Sequence, residues 1–332
     1  MKNVKKIFLF IFTIFLGIGT LFNLSACSNN KDEKISVVCT IFPEYDWVKE
    51  VIGENNNIKL TLLLNNGVDL HNYEPSVSDI AKISTCDLFI YVGGESDKWV
   101  SSALKNARNT DMQVINLLDV LGDKKKEEEQ KEGMQEEEDK NTTNNQAIKN
   151  STTKEIEYDE HVWLSLRNTQ LFVNEIANKL SVIDSSNKDK YTTNATEYNA
   201  ELNNLDEEYT SVVNNGNKKT LLFGDRFPFR YFVDDYGLDY FAAFSGCSTE
   251  TEASFDTITT LAGKVDALNL KVILRIETST DDNIANQIKN NTTTKDQEIL
   301  ILNSIQNTIV ESGKTYLSIM QDNLEVIRKA VM

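Results

Sequence analysis

Only two histidines occur in the 332 residues, His71 in NNGVDLHNYEPSVSDI and His161 in YDEHVWLSLRN. Both sit among polar residues in loops between apolar runs, not on apolar helix faces. A single histidine ordinarily serves as a surface or capping residue. A chain that carries none elsewhere, even in a long polar loop, keeps these two for imidazole chemistry, most often metal ligation. A Ser-His-Asp triad would need one of them beside an activated serine, and no local pattern supports that. The chain has no phosphate-binding G-x-x-x-x-G-K-S/T loop, no H-E-x-x-H and no G-x-S-x-G. These residues point to binding, and not to an enzyme.

The elements that must position them follow from hydrophobic patterning. Short β-rich runs fall at 34–41, 58–64, 86–93 and 112–118, and again at 218–224, 238–244, 270–277 and 298–303, with helix-like stretches between. This predicts an α/β protein of two lobes, each with a four-stranded, mostly parallel sheet flanked by helices. Apolar runs without strict alternation fit strands covered on both faces. Expected boundaries are 34–187 for the first lobe and 215–332 for the second. Between them Tyr191, Tyr198, Leu202, Leu205 and Tyr209 recur at helical spacing with no Gly or Pro. That predicts a helix over 188–214, roughly 35–40 Å long, either joining the lobes or lying on the second. Residues 123–158 are poor in hydrophobics and rich in charge and Asn, and read as a flexible, solvated acidic insertion.

The formal charge is −17, from 51 acids and 34 bases. Such a charge argues against nucleic acid or an anionic membrane surface as a partner. The opening MKNVKK, the apolar IFLFIFTIFLGIGTLF and then NLSAC make a basic n-region, an h-region and a small-residue cleavage zone over 1–26. The apolar run is nearly long enough to be a permanent span. Leu24-Ser25-Ala26-Cys27, however, resembles the lipobox of bacterial lipoproteins, in which the peptide is cut before the Cys and the thiol carries lipid. That implies an anchor at Cys27, a short tether over 27–33 and an extracytoplasmic location. Of the remaining cysteines, Cys39 and Cys86 lie in apolar runs as expected of buried thiols, while Cys247, in SGCSTE, is less clearly core. Their odd number argues against a disulfide framework.

Several segments together resemble a family: HNYEPSVSDI, then CDLFIYVGG, DEHVWLSLRN, YTTNATEYNAELNNLD, YFVDDYGLDY and KTYLSIMQDNLEVIRKAV. They are similar to the solute-binding lipoproteins of zinc and manganese ABC importers, over roughly residues 34–332. The resemblance implies two α/β lobes bridged by a long helix, one divalent metal ion in the cleft between them, and delivery to a membrane permease by a monomeric, non-enzymatic carrier. The family's first two ligands fall on His71 and His161.

The second lobe departs from the pattern. The family's third ligand, a His or Glu ten residues before a Tyr-Gly-Leu motif, falls on Arg226, which cannot ligate; Asp225 beside it is the expected substitute. The fourth, often an Asp, falls on Asn303. Glu277 is an alternative ligand or an outer supporting carboxylate, and Cys247, Glu250 and Glu252 are remoter candidates. His71, Asp225, Glu277 and Asn303 all follow the carboxyl ends of expected strands, where ligands bind in doubly wound sheets. Two imidazoles with carboxylates suit zinc first and manganese second, and the absence of a thiolate from that set argues against copper(I). Arg226 and Asn303 also keep open an alternative, a surface adhesin of the same fold with weakened or lost metal binding.

Overall fold

The computed structural model describes residues 34–135, 157–248, 250, 252–279 and 282–332. The expected signal segment, tether and lipid-bearing Cys27 lie outside the described residues. Among those described, no helix is long and apolar enough to cross a membrane.

The described residues from Ile35 to Met332 form one compact unit. The first sheet holds β1 (Ile35–Cys39), β2 (Ile58–Leu62), β3 (Leu88–Tyr91) and β4 (Gln113–Asn116), in the order β2-β1-β3-β4. The second holds β5 (Thr220–Phe227), β6 (Asp239–Ser245), β7 (Val272–Arg275) and β8 (Glu298–Ile301), in the order β6-β5-β7-β8. Every neighbouring pair is parallel. The eight expected strands appear in the expected sequence, and the two lobes repeat one topology. In each, the chain leaves the first strand to one side and returns on the other. Connecting loops diverge there, leaving a crevice at the carboxyl ends of the strands.

The helices are α1 (Phe42–Ile52), α2 (Val77–Thr85), α3 (Val100–Lys105), α4 (Leu117–Leu121), α5 (Leu166–Ile183), α6 (Lys188–Asn215), α7 (Arg230–Tyr236), α8 (Phe255–Leu268), α9 (Asn283–Asn291) and α10 (Tyr316–Val331). Helix α6 has 28 residues, about 42 Å at 1.5 Å each. It buries Tyr191, Ala195, Tyr198, Leu202, Leu205 and Tyr209, a three-four spacing that keeps one stripe inward along its length. The stripe packs on α1 and α5 of the first lobe and on α10 of the second, so the helix spans both. Its polar tips are tied down: Tyr191 donates to Asp184 (2.7 Å) and Tyr209 to the Met320 carbonyl (2.5 Å).

A single hydrophobic cluster runs from Val37 and Leu88 in the first sheet through Trp47, Trp163 and Phe172 to Phe223, Leu274 and Val331 in the second lobe. Trp47 stacks on Phe172 (5.6 Å between centroids) and meets the edge of Tyr316 (5.3 Å). Polar ties cross the lobes too: Trp163 Nε1 donates to the Ser304 carbonyl (2.9 Å) and the Tyr316 amide to Asp46 (2.7 Å). The lobes are continuous below the crevice.

The acidic insertion differs from expectation at both ends. Residues 123–135 and 157–158 are part of the fold, while 136–156 lie outside the described residues. Glu127 bridges antiparallel to Tyr158, and Gln135 donates its amide to the Ala243 carbonyl (2.8 Å). Lys126 pairs with Asp234, Glu132 with Lys264 and Lys131 with Asp239, and Met134 is buried. Composition gives charge density but not the complementary charges waiting on α7, α8 and β6. With those present, and one apolar anchor, a charged stretch has reason to settle.

Candidate metal centre

After β2 the chain passes Asn65-Asn66-Gly67 and makes one 3-10 turn, Leu70–Asn72. Leu70 is buried beneath it. The Asp69 carboxylate accepts from the His71 amide (3.1 Å) and caps the turn. The His71 ring lies with Nδ1 2.8 Å from Ser96 Oγ. Ser96 spends its own hydroxyl proton on Glu160 Oε2 and gives its amide to Glu160 Oε1 (2.9 Å). A hydroxyl that donates to a carboxylate must accept from the imidazole, so His71 carries its proton on Nδ1 and offers the Nε2 lone pair. Gly94 makes room for this arrangement. It has φ +83, and a Cβ there would lie 2.3 Å from Glu160 Oε1.

His161 is fully buried at the start of a 3-10 turn, Val162–Leu164. Asp159 accepts from both its amide (2.9 Å) and its Nδ1 (3.1 Å). The Nε2 lone pair again points outward. Gly246 of the second lobe closes on the ring, where a Cβ would stand 3.0 Å from Cε1. The two Nε2 atoms are 3.1 Å apart. Two nitrogens bound to one tetrahedral zinc at about 2.0–2.1 Å would be roughly 3.3–3.4 Å apart. The outer partners, Ser96 and Asp159, are of the kind that orient imidazoles on metals.

Burial, and then the charge His161 would carry, push His71 down to about 3 despite nearby Asp69. Burial also works against a charged His161, but Asp159, by charge and hydrogen bond, leads the carboxylates that raise its pKa overall. A single proton shared by the pair therefore resides on His161 and points at His71 Nε2, along the line where a cation would act instead. Burial raises the Glu160 carboxyl, with the Ser96 donors pulling the other way.

One second-lobe atom capable of ligation lies beside them. Cys247 lies two residues past β6, and among the described residues His71, His161 and Cys247 form a group whose ligand atoms all lie within 4.8 Å of one another. The carboxylates Asp225, Glu277, Glu250 and Glu252 are not in it. Asp225 is turned into its own lobe, accepting from the amides of Arg226 (2.8 Å) and Ile276 (2.9 Å) and from the Ser279 hydroxyl. Glu277 accepts from the Ser304 amide (2.6 Å) and hydroxyl and from the Gln306 amide (3.2 Å). The Asn303 side-chain oxygen accepts from the Ile305 amide (2.8 Å), where Ile305 takes φ 61. These three expected ligands are instead fixtures of the second lobe's loops. Strand-end position brought them to the correct edge of the sheet, but a sequence does not display the orphan amides that claim their oxygens.

Arg226 reaches across the crevice, pairing Nη2 with Asp69 (2.8 Å) and with Thr278 Oγ1 (2.9 Å). The β5 register shifts between Phe223 and Arg226, which frees this stretch from regular pairing. A cation at the position expected for a ligand thus braces the residue that caps His71. A cavity of about 210 Å³ opens on the site, with Glu95, Glu128, Glu157 and Glu160 beside His71 and Cys247. Carboxylates around a narrow opening concentrate cations there. Sequence reasoning did not single out Ser96, Asp159, Glu160 or Asp69, although the two acids immediately preceding His161 were a usable signal.

Ser96→Ala removes the acceptor for His71 Nδ1–H without touching a ligand. Zinc affinity is expected to fall by about 10–100-fold, as measured by competition with a chromophoric chelator.

The family model described as "Zinc-uptake complex component A periplasmic", ZnuA, matches residues 37–330. The chain is 29% identical over 308 residues to the zinc-binding lipoprotein AdcA of Streptococcus pneumoniae R6, covering 92% of this chain and 58% of that protein. It thus spans little more than half the length of that relative. It is 28% identical over 320 residues to the high-affinity zinc uptake system protein ZnuA of Bacillus subtilis, covering 93% and 94%. The crystal structure of the Zn(II)-bound ZnuA-like domain of S. pneumoniae AdcA superposes with a TM-score of 0.68 at 25% identity, over 90% of this chain and 99% of that one. Matched by that model over nearly all its described length, the chain belongs to the ZnuA family of zinc-uptake components, a family of transport binding proteins and not of enzymes.

Proposed function

We propose that this chain captures one zinc ion between His71 and His161 outside the cytoplasm and delivers it to the membrane permease of an ABC importer. Manganese is the second-choice cargo. The protein works as a monomer held at the membrane by lipid on Cys27. The observation that carries the reading is the pair of Nε2 atoms 3.1 Å apart, each imidazole held at Nδ1 by a hydroxyl or a carboxylate. The acidic cavity supports it, as do relatives named for zinc binding and zinc uptake. Calorimetric titration of the mature protein tests it, with one tight zinc site expected. Zinc at a hundredfold excess over its dissociation constant should add about 2.7 kcal/mol of stability. A melting temperature unmoved by zinc or chelator would overturn the reading in favour of the surface adhesin. Delivery is tested by growth under zinc chelation, which should fail when the gene is deleted.

The imidazoles also set a pH dependence. Protonated imidazole cannot ligate, so the ion competes with a proton at His161, whose folded pKa lies above 6.5. The histidine contribution to affinity should therefore begin to fall as pH drops through a value above 6.5, not below it. His71, already neutral down to about 3, should add nothing across that range. Titrations in buffers of different ionisation enthalpy read the released proton directly, and Asp159→Asn should move the fall to lower pH.

A further inference from the structure

We infer that the Cys247 sulfur is the second lobe's ligand to the ion, making a two-nitrogen, one-sulfur site that favours zinc strongly over manganese. This deepens the function proposed above and rests on it for His71 and His161.

Three observations lead to the sulfur. The first is proximity: Cys247 Sγ belongs to the group whose ligand atoms lie within 4.8 Å of one another. In a tetrahedron with Zn–N of about 2.0–2.1 Å and Zn–S of about 2.3 Å, nitrogen and sulfur stand roughly 3.5–3.6 Å apart. Closing that gap takes a side-chain adjustment of about an ångström. The second is elimination within the second lobe. Asp225 and Glu277 are held by backbone amides of their own loops, and Arg226 is bound to Asp69. The third is the setting of Cys247 itself. Cys39 and Cys86 are buried in the first lobe's core. Cys247, by contrast, lines the acidic cavity beside His71. Its own amide is anchored on Glu128 (3.1 Å), and the Glu160 backbone amide donates toward its sulfur. Burial and the nearby Glu128, Asp159 and Glu160 carboxylates hold the thiol well above its ordinary pKa, with the Glu160 amide pulling the other way, so the thiolate forms only when an ion takes the proton's place.

Coordination displaces the thiol proton to solvent and leaves a thiolate on the ion. Thiolate is a soft donor that suits zinc and other thiophilic ions, whereas manganese prefers oxygen. A family position normally filled by a harder donor is here an arginine, and the replacement donor comes from the turn that follows the neighbouring strand, β6. The presence of sulfur also removes the ground on which copper(I) was set aside from sequence.

Cobalt(II) titration of the mature chain tests the assignment. Cobalt bound to thiolate gives an intense near-ultraviolet charge-transfer band, which histidine and carboxylate do not. The wild type should show that band at one equivalent. Cys247→Ser should lose it while still binding one cobalt through the histidines, and its zinc-over-manganese preference should drop by roughly tenfold or more. Cys247→Asp, with matching far-ultraviolet dichroism to certify folding, should bind without the band and shift toward manganese. A wild type that binds cobalt without the band, or a band that survives Cys247→Ser, overturns the sulfur and leaves the transport reading standing. No cobalt binding by folded wild type overturns both.

Discussion

His71→Ala and His161→Ala should each cut zinc affinity by two to three orders of magnitude. Structural zinc sites with four ligands contribute about 10–16 kcal/mol, so one ligand carries about 2.5–4 kcal/mol. The two variants should differ in a second property. The His71 ring rests on a single 3-10 turn at the cavity, and its removal should leave the fold close to wild-type stability. The His161 ring is fully buried against Trp163 (5.3 Å between centroids) and satisfies Asp159. Deleting it takes one of two donors from the buried Asp159 Oδ1, leaving the residue-161 amide, and opens a cavity beside Trp163, which together cost about 1–3 kcal/mol. Calorimetric titration with zinc reads the first effect and thermal unfolding in chelator reads the second. Unchanged affinity in both variants would remove the site.

Trp163→Ala should produce the largest loss of stability of any single change considered. The indole is fully buried, and its Nε1 donates across the lobes to the Ser304 carbonyl. Its own carbonyl accepts from the Tyr316 hydroxyl (2.6 Å). Truncating a buried Trp costs about 3–5 kcal/mol, and the orphaned carbonyl adds about 1–3 kcal/mol. A loss near 5 kcal/mol in a fold of some 300 residues lowers the melting temperature by roughly 8 °C. Trp163→Phe keeps most of the packing and loses the donor, so it should cost about 1–3 kcal/mol. Equal melting temperatures for the two variants would mean that packing, not the cross-lobe hydrogen bond, is absent from the balance.

The architecture was legible because apolar runs of strand length alternate with helical spacing throughout, and because the buried tyrosines of α6 mark one inward stripe. That His71 and His161 would meet was legible for a different reason: in a chain otherwise free of histidine, imidazole is information. Their second-lobe neighbour, Cys247, was not. Asp225, Glu277 and Asn303 have the chemistry of ligands and stand near strand ends, yet their oxygens serve the amides of Ile276, Ser304 and Ile305. Satisfying a buried amide is a demand of the fold with no signature in residue type. Cys247 was visible but ranked low, since nothing in SGCSTE says that Gly246 brings it beside His161. The acidic stretch at 123–135 escaped for a similar reason, because its partners lie more than a hundred residues away.

The shared core limits how the cargo leaves. Prying the halves apart would wet apolar surface at about 25 cal/mol per Å², so baring some 400 Å² would cost about 10 kcal/mol, as much as many proteins' entire stability. Any opening that bares such an area would have to be offset by new contacts made in the open state. His71 stands on a brief turn, latched by Asp69 to Arg226 on the opposite wall. The Asp69–Arg226 pair and the turn it steadies are thus the part of the site whose rearrangement would bare none of the shared core.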